Sequence, residues 1–228
     1  SSATPFFAKL RERVLRIAPL VESLLTRGFT SLEDQLAQLG LAAGDIDVIA
    51  FDHFHTQDLR PILGTGDRPG RFPNAILLAP QREWHDWDGL HPMQRAWFIE
   101  AGKEGVPADR VVLTDHDLSL GAGCLLLATP GHTSGNQTLF VSSDEGVFGC
   151  SENGTSCDNW SPHASTINGL AKLADYYDVE VVLNSNTPEM GAEQYASMIL
   201  ERSVADAVVD RDDFVQMFPS SEVTASPL

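Results

Sequence analysis

Residues 47–58 read DVIAFDHFHTQD. The apolar run DVIAF predicts a buried strand, and His53 and His55 follow directly after it. If the chain stays extended there, a spacing of two puts both imidazoles on the same side. Residues 124–136, CLLLATPGHTSGN, repeat the plan: an apolar run, a Pro-Gly break, then His132. Three imidazoles can close a metal site. Both clusters fall where strands end and loops begin, which is where sites on a sheet scaffold are built. The chain has seven histidines, so one close pair can arise by chance. A lone His-x-His is therefore a weak signal, and the two strand-to-loop placements together carry the reading.

Working outward, residues 6–26 show apolar positions at helical spacing (Leu10, Val14, Ile17), interrupted at Pro19. Thr30 or Ser31 can cap the next helix, with Glu33 completing a capping box from Thr30. Leu32, Leu36 and Leu39 form its apolar stripe, and Gly40 ends it. Strands are expected at 46–52, 75–79, 110–114, 123–129, 137–142, 146–150 and 179–184, with a helix at 165–177. Residues 192–209, AEQYASMILERSVADAVV, predict a long helix, and 220–228 a frayed tail.

In order and spacing these segments resemble the metallo-β-lactamase fold hydrolases. That family carries H-x-H-x-D-H after a strand, a single histidine in T-P-G-H-T, an acid closing a further strand, and a last histidine. The resemblance spans about residues 30–190. LGLAAGDIDVIAFDHFH (39–55) is similar to the helix, loop and strand that lead into the first motif. FPNAILLAPQREW (72–84) resembles the lactonase-like branch, and LLLATPGHTSGNQTLFV (125–141) the third-histidine segment. The resemblance implies an α/β fold, an αββα sandwich, in a single domain over 1–228. Relatives begin with several strands, whereas this chain opens on a helix. The expectation is therefore a fold lacking its N-terminal strands, with a longer chain, another segment or a second subunit to supply them.

Carried over residue by residue, the resemblance implies His53, His55 and His132 as metal ligands. Gln57 stands where the family has aspartate, and Asp58 where it has the next histidine. In VFGCSE (147–152), Glu152 aligns with the acid that bridges two metals, and a slipped alignment puts Cys150 there instead. In VVLNSNTP (181–188), Asn186 stands where the last histidine would be. Imidazoles suit zinc and iron, and carboxylates suit harder ions. The favoured arrangement is one divalent ion on the three histidines, zinc first and iron or manganese as alternatives. The other arrangement adds a second ion on Asp58 and Glu152. The same two carboxylates are the candidate general bases. Against these roles, Asp58 can simply cap its loop or pair with Arg60, and Glu152 can be a solvent-facing turn residue. Asp52 can hold an imidazole N–H, or be an ordinary strand-end acid.

The implied activity is hydrolysis of an ester, lactone or thioester small molecule through a metal-bound hydroxide. Two alternatives stand beside it: a non-hydrolytic binding or partner subunit, motivated by Gln57 and Asn186, and an iron-dependent redox enzyme. His85 and His91, in the Trp-rich EWHDWDGLHPMQRAWF (83–98), read as a surface loop or a pocket wall. His116 and His163 read as exposed.

Lys+Arg total 15 against 32 Asp+Glu, a net charge of −17 that repels phosphate backbones and argues against a nucleic-acid partner. With 43% hydrophobic residues the chain can bury a core. Three cysteines, Cys124, Cys150 and Cys157, make no disulfide framework. No apolar run approaches the length of a membrane helix, and KLRERVLRIAPL (9–20) is too charged for a signal peptide. The expectation is a cytoplasmic protein with a small-molecule substrate, as a homo-oligomer or with a second chain.

Overall fold

The computed structural model describes residues 4–14 and 30–221. They gather into two compact units. The first draws on Ser1–Ala50, Phe54–Ala79 and Gly89–Leu113, the second on Phe51–His53, Pro80–Asp88 and Thr114–Leu228.

In the first unit, the helix expected from residue 6 spans Pro5–Val14; its continuation through Pro19 lies outside the described residues. The helix Leu32–Gln38 starts on Ser31, whose hydroxyl accepts from Asp34 N–H. Ser31 is thus the cap, and Glu33 instead pairs with Arg71 at 2.7 Å. Gly40, at φ 74°, lets the chain reverse: its N–H reaches Ala37 O and that of Leu41 reaches Leu36 O. The expected stripe is only lightly covered, with Leu32 47% and Leu39 75% exposed. Strand β1 (Val48–Ala50) follows, then a small hairpin of β2 (Gly64–Thr65) and β3 (Arg68–Pro69), then β4 (Ile76–Pro80) and β5 (Val111–Thr114). The sheet order is β1-β4-β5, with β1 parallel to β4. Residues 83–98 are more ordered than the loop expected there, with short helices at Gln81–Asp86 and Pro92–Arg95.

The second unit holds a meander of β6 (Leu118–Gly121), β7 (Cys124–Ala128), β8 (Gln137–Ser143) and β9 (Gly146–Cys150). A hairpin of β10 (Ala207–Val208) and β11 (Arg211–Val215) precedes β12 (Met217–Phe218), which adds parallel to β9. Leu127, Phe140, Trp160, Val181, Met198 and Met217 form its core.

Two expectations fail here for physical reasons. Residues 179–184 form no strand, and the chain bends at residue 180. Their polar backbone groups are met by a loop: Val182 N–H donates to Asn159 O, Asn184 N–H to Asn153 O, and Asn159 Nδ2 to Val182 O. The last helix spans Gly191–Val204 and stops before the expected end, because Ala207 and Val208 pair with β11. Among the described residues no helix is long and apolar enough to cross a membrane.

Candidate metal centre

His53 is brought to His132 by backbone pairing. Gln137, the first residue of β8, donates its N–H to Asp52 O at 2.8 Å and its Nε2–H to Phe51 O at 2.7 Å. This clips residues 51–53 to the strand that begins just after the His132 loop. The two rings then meet edge to face, centroids 4.7 Å apart. One ligand atom from each of His53, His55 and His132 lies within 4.8 Å of the others, close enough to hold a metal ion.

For His53 and His55 the partner of one ring nitrogen indicates which atom would serve. His53 Nδ1 donates to Asp52 Oδ2 at 2.8 Å, which makes Nε2 the ligand atom. His55 is buried, and its Nε2 lies 2.5 Å from Gln94 Oε1. An amide oxygen only accepts, so Nε2 carries the proton and Nδ1 is the ligand atom. His132 Nδ1 faces Asn184 Nδ2 at 3.1 Å and Thr187 Oγ1 at 3.5 Å. Asn184 Nδ2 gives one hydrogen to Glu152 O and can give the other to His132 Nδ1, which then accepts, while Thr187 donates its hydroxyl hydrogen to His132 O at 2.6 Å.

The His132 loop is fixed from below. Gly131 N–H bonds Thr133 O, and Asn136 O accepts from Thr129 N–H. Asn153 Oδ1 accepts the His132 N–H at 2.9 Å, while Asn153 Nδ2 donates to Thr129 O and to Glu201 Oε1. Glu201 is fully buried and also accepts from Thr138, Ser151 and Trp160. Burial pushes its carboxyl above the usual range, against four donors that each favour the anion.

The field favours a cation. Burial alone would lower the His53 pKa, but the Asp52 charge and hydrogen bond, with the charges of Glu83 and Glu152, outweigh it and raise it to about 9. Glu83 is buried and accepts from Thr133 Oγ1 at 2.8 Å. A metal ion that displaced the His53 proton would sit on three neutral imidazoles with these carboxylate charges acting on the site, which fits the donor set.

Asp58 does not join the histidine cluster. Its carboxylate is forked by Arg60, at 2.8 Å from both Nε and Nη2, and it lines a separate groove with Pro61, Thr65, Asp67 and Glu104. An arginine two residues along the chain reaches it locally, and so the turn inward that a ligand role needs does not occur. Glu152 is buried, not solvent-facing, and is held by Ser220 and Ser221. Those two serines are thus engaged, while 222–228 lie outside the described residues. Gln57 lies in the turn after His55, its N–H on Phe54 O. Asn186 donates its N–H to Asn184 Oδ1, and it is Asn184 that meets His132. Burial pushes the Cys150 thiol up to about 11, helped by the charges of Asp52 and Glu152. His85, His91, His116 and His163 are exposed; His91 caps the helix Pro92–Arg95, and the last two pair with Asp115 and Asp175. Gln94, Glu83, Asn184, Thr187 and Ser220 were missed from sequence. No local pattern marks them, since each meets its partner across a long stretch of chain.

No protein-family model matches the chain, and no curated protein matches it. Among solved structures, a probable metal-dependent hydrolase from Staphylococcus aureus is similar, with a TM-score of 0.57 and 14% identity over 75% of this chain and 55% of that one. AidC, a dizinc quorum-quenching lactonase in complex with a product, overlaps with a TM-score of 0.47 and 21% identity over 61% of this chain and 53% of that one. An N-acyl homoserine lactone hydrolase with its product at the catalytic metal centre overlaps with a TM-score of 0.43 and 21% identity over 64% and 55%. The chain spans about half the length of the solved structures it matches. The likeness to the staphylococcal protein, with the order of the motifs, identifies an α/β fold of the metallo-β-lactamase type. On that fold, three histidines stand where they can hold a metal ion.

Proposed function

We propose that the chain is a metal-dependent hydrolase of a small-molecule ester, lactone or thioester. The observation that carries this is the cluster His53, His55 and His132, with ligand atoms within 4.8 Å of one another. His53 Nε2, His55 Nδ1 and a ring nitrogen of His132 would hold one divalent ion, zinc before iron or manganese. When bound, such an ion lowers the pKa of a coordinated water and polarises a substrate carbonyl. Asp52 and Gln94 orient two of the rings and fix their tautomers. Asp58 is occupied by Arg60, and the proton-handling role falls to Glu152. The resemblance of FPNAILLAPQREW (72–84) to the lactonase-like branch makes a lactone or ester the first substrate to try.

Elemental analysis of protein purified without added metal or chelator, beside His132→Ala, tests this. About one equivalent, lost in the variant, with chelator-sensitive cleavage of a lactone, ester or thioester panel, is the expected result. Metal-loaded protein that cleaves none of the panel sinks the hydrolase reading. A second reading, a fold relative that binds without hydrolysing, rests on Gln57 and Asn186 at positions where the family has ligands, and on the Asp58–Arg60 fork. It expects no stoichiometric metal and a gain in stability from a partner chain.

A further inference from the structure

Both oxygens of Glu152 are taken by the segment that follows β12. Oε1 accepts from Ser221 Oγ at 2.8 Å, and Oε2 from Ser220 Oγ at 2.8 Å and Ser221 N–H at 3.1 Å. The same Ser220 Oγ lies 2.5 Å from Asp52 Oδ2, the oxygen that also receives His53 Nδ1–H. Counting hydrogens exposes a conflict. A hydroxyl has one hydrogen, so Ser220 can donate to only one of the two carboxylates at a time. The other contact sets oxygen lone pairs against a carboxylate oxygen. A cation between these groups would relieve that conflict, while the serines cannot.

The segment has a buried anchor and an exposed tip. Met217 is fully buried, Met217 and Phe218 pair with Gly149 and Cys150, Ser151 N–H bonds Phe218 O, and Pro219 is buried. Ser220 and Ser221 are exposed. Their part-buried hydrogen bonds to the Glu152 carboxylate are what the tip would give up on leaving, and water would replace them in part.

We infer that Ser220–Ser221 is an intramolecular strap, anchored by β12, that withholds the Glu152 carboxylate from the histidine site and yields it to a divalent cation. The consequence for metal rests on the metal-dependent reading, whereas the strap itself does not.

The test compares the full chain with its S220A/S221P form, which removes all three donor groups of the strap. Two quantities are read. The first is carbodiimide-driven coupling of glycine ethyl ester to Glu152 in metal-free protein, followed by mass spectrometry. The second is a zinc titration, with circular dichroism confirming that both forms are folded. Glu152 should couple about tenfold faster in S220A/S221P, and zinc should bind about tenfold more tightly, each tenfold matching the loss of roughly one charged hydrogen bond. Adding E152Q should abolish the gain in zinc affinity. Equal coupling in the two forms overturns the strap. Faster coupling with unchanged zinc affinity overturns the withholding. Absence of zinc binding in both forms overturns the metal-dependent reading, and the coupling rates then decide the strap alone.

Discussion

Asp52 does two things at the scale of the single residue: it orients His53 and it loads the neighbourhood with negative charge. Replacing it by asparagine keeps the size and removes the charge. Asp52→Asn should weaken metal binding by about 10–100-fold, the usual cost of losing a partner that orients a ligand, read by competition with a zinc chelator. An unchanged affinity would mean that His53 is oriented by packing alone. Cys150 reports on the same carboxylates. With its pKa pushed to about 11, the thiol stays protonated at pH 8. Fewer thiolates, offset in part by the higher nucleophilicity of each, should slow iodoacetamide alkylation roughly tenfold relative to an ordinary thiol. The rate should climb as pH approaches the thiol's pKa. Mass-resolved alkylation across pH checks this, and a Cys150 as reactive at pH 8 as a free peptide thiol would contradict the placement.

Helix Gly191–Val204 is the element on which the His132 loop rests. A Cβ on Gly131 would lie 2.4 Å from Gln194 Cα, where only backbone could move. Gly131→Ala should therefore destabilise by about 1–3 kcal/mol, the range for overpacking, and lower metal affinity by shifting His132. Urea unfolding and zinc titration of the same variant measure both effects. About two turns further along the helix, Glu201 gathers donors from Thr138, Ser151, Asn153 and Trp160. Glu201→Ala leaves those groups buried without an acceptor and should cost about 3–5 kcal/mol. A loss under 1 kcal/mol would mean that water replaces the carboxylate.

At the scale of the whole molecule, a metal bound by His53, His55 and His132 would couple to folding, because these residues come from segments far apart in sequence. Zinc at about a hundred times its Kd should stabilise by about 2.7 kcal/mol, or roughly 5–10 °C in Tm for a chain of this size. The shift should vanish in His132→Ala and on chelation. Differential scanning fluorimetry with and without zinc decides it. A shift that persists in His132→Ala would place the metal elsewhere, for instance on the many surface acids of a chain with net charge −17.

Periodicity and breakers were enough to locate β1, β4, β5, β7, β8 and β9, and the strand-to-loop positions of His53, His55 and His132 followed from them. Those features are local: an apolar run, a Pro-Gly stop and a two-residue spacing act on the chain within a few residues. The short pairs β6 and β10–β12 were not legible, since a two- to five-residue strand exists only once its neighbour is in place. The run 179–184 was read as a strand for the converse reason: its valines favour extension, but only the tertiary structure decides whether a strand or a loop meets its backbone groups. The same holds at the site. Sequence determined which imidazoles converge; it did not determine that Asp58 turns to Arg60, that Gln94 and Thr187 stand behind the rings, or that Ser220 and Ser221 close on Glu152. Those partners are set by hydrogen bonds between groups brought together only by packing, and no spacing in the chain encodes the distance between them.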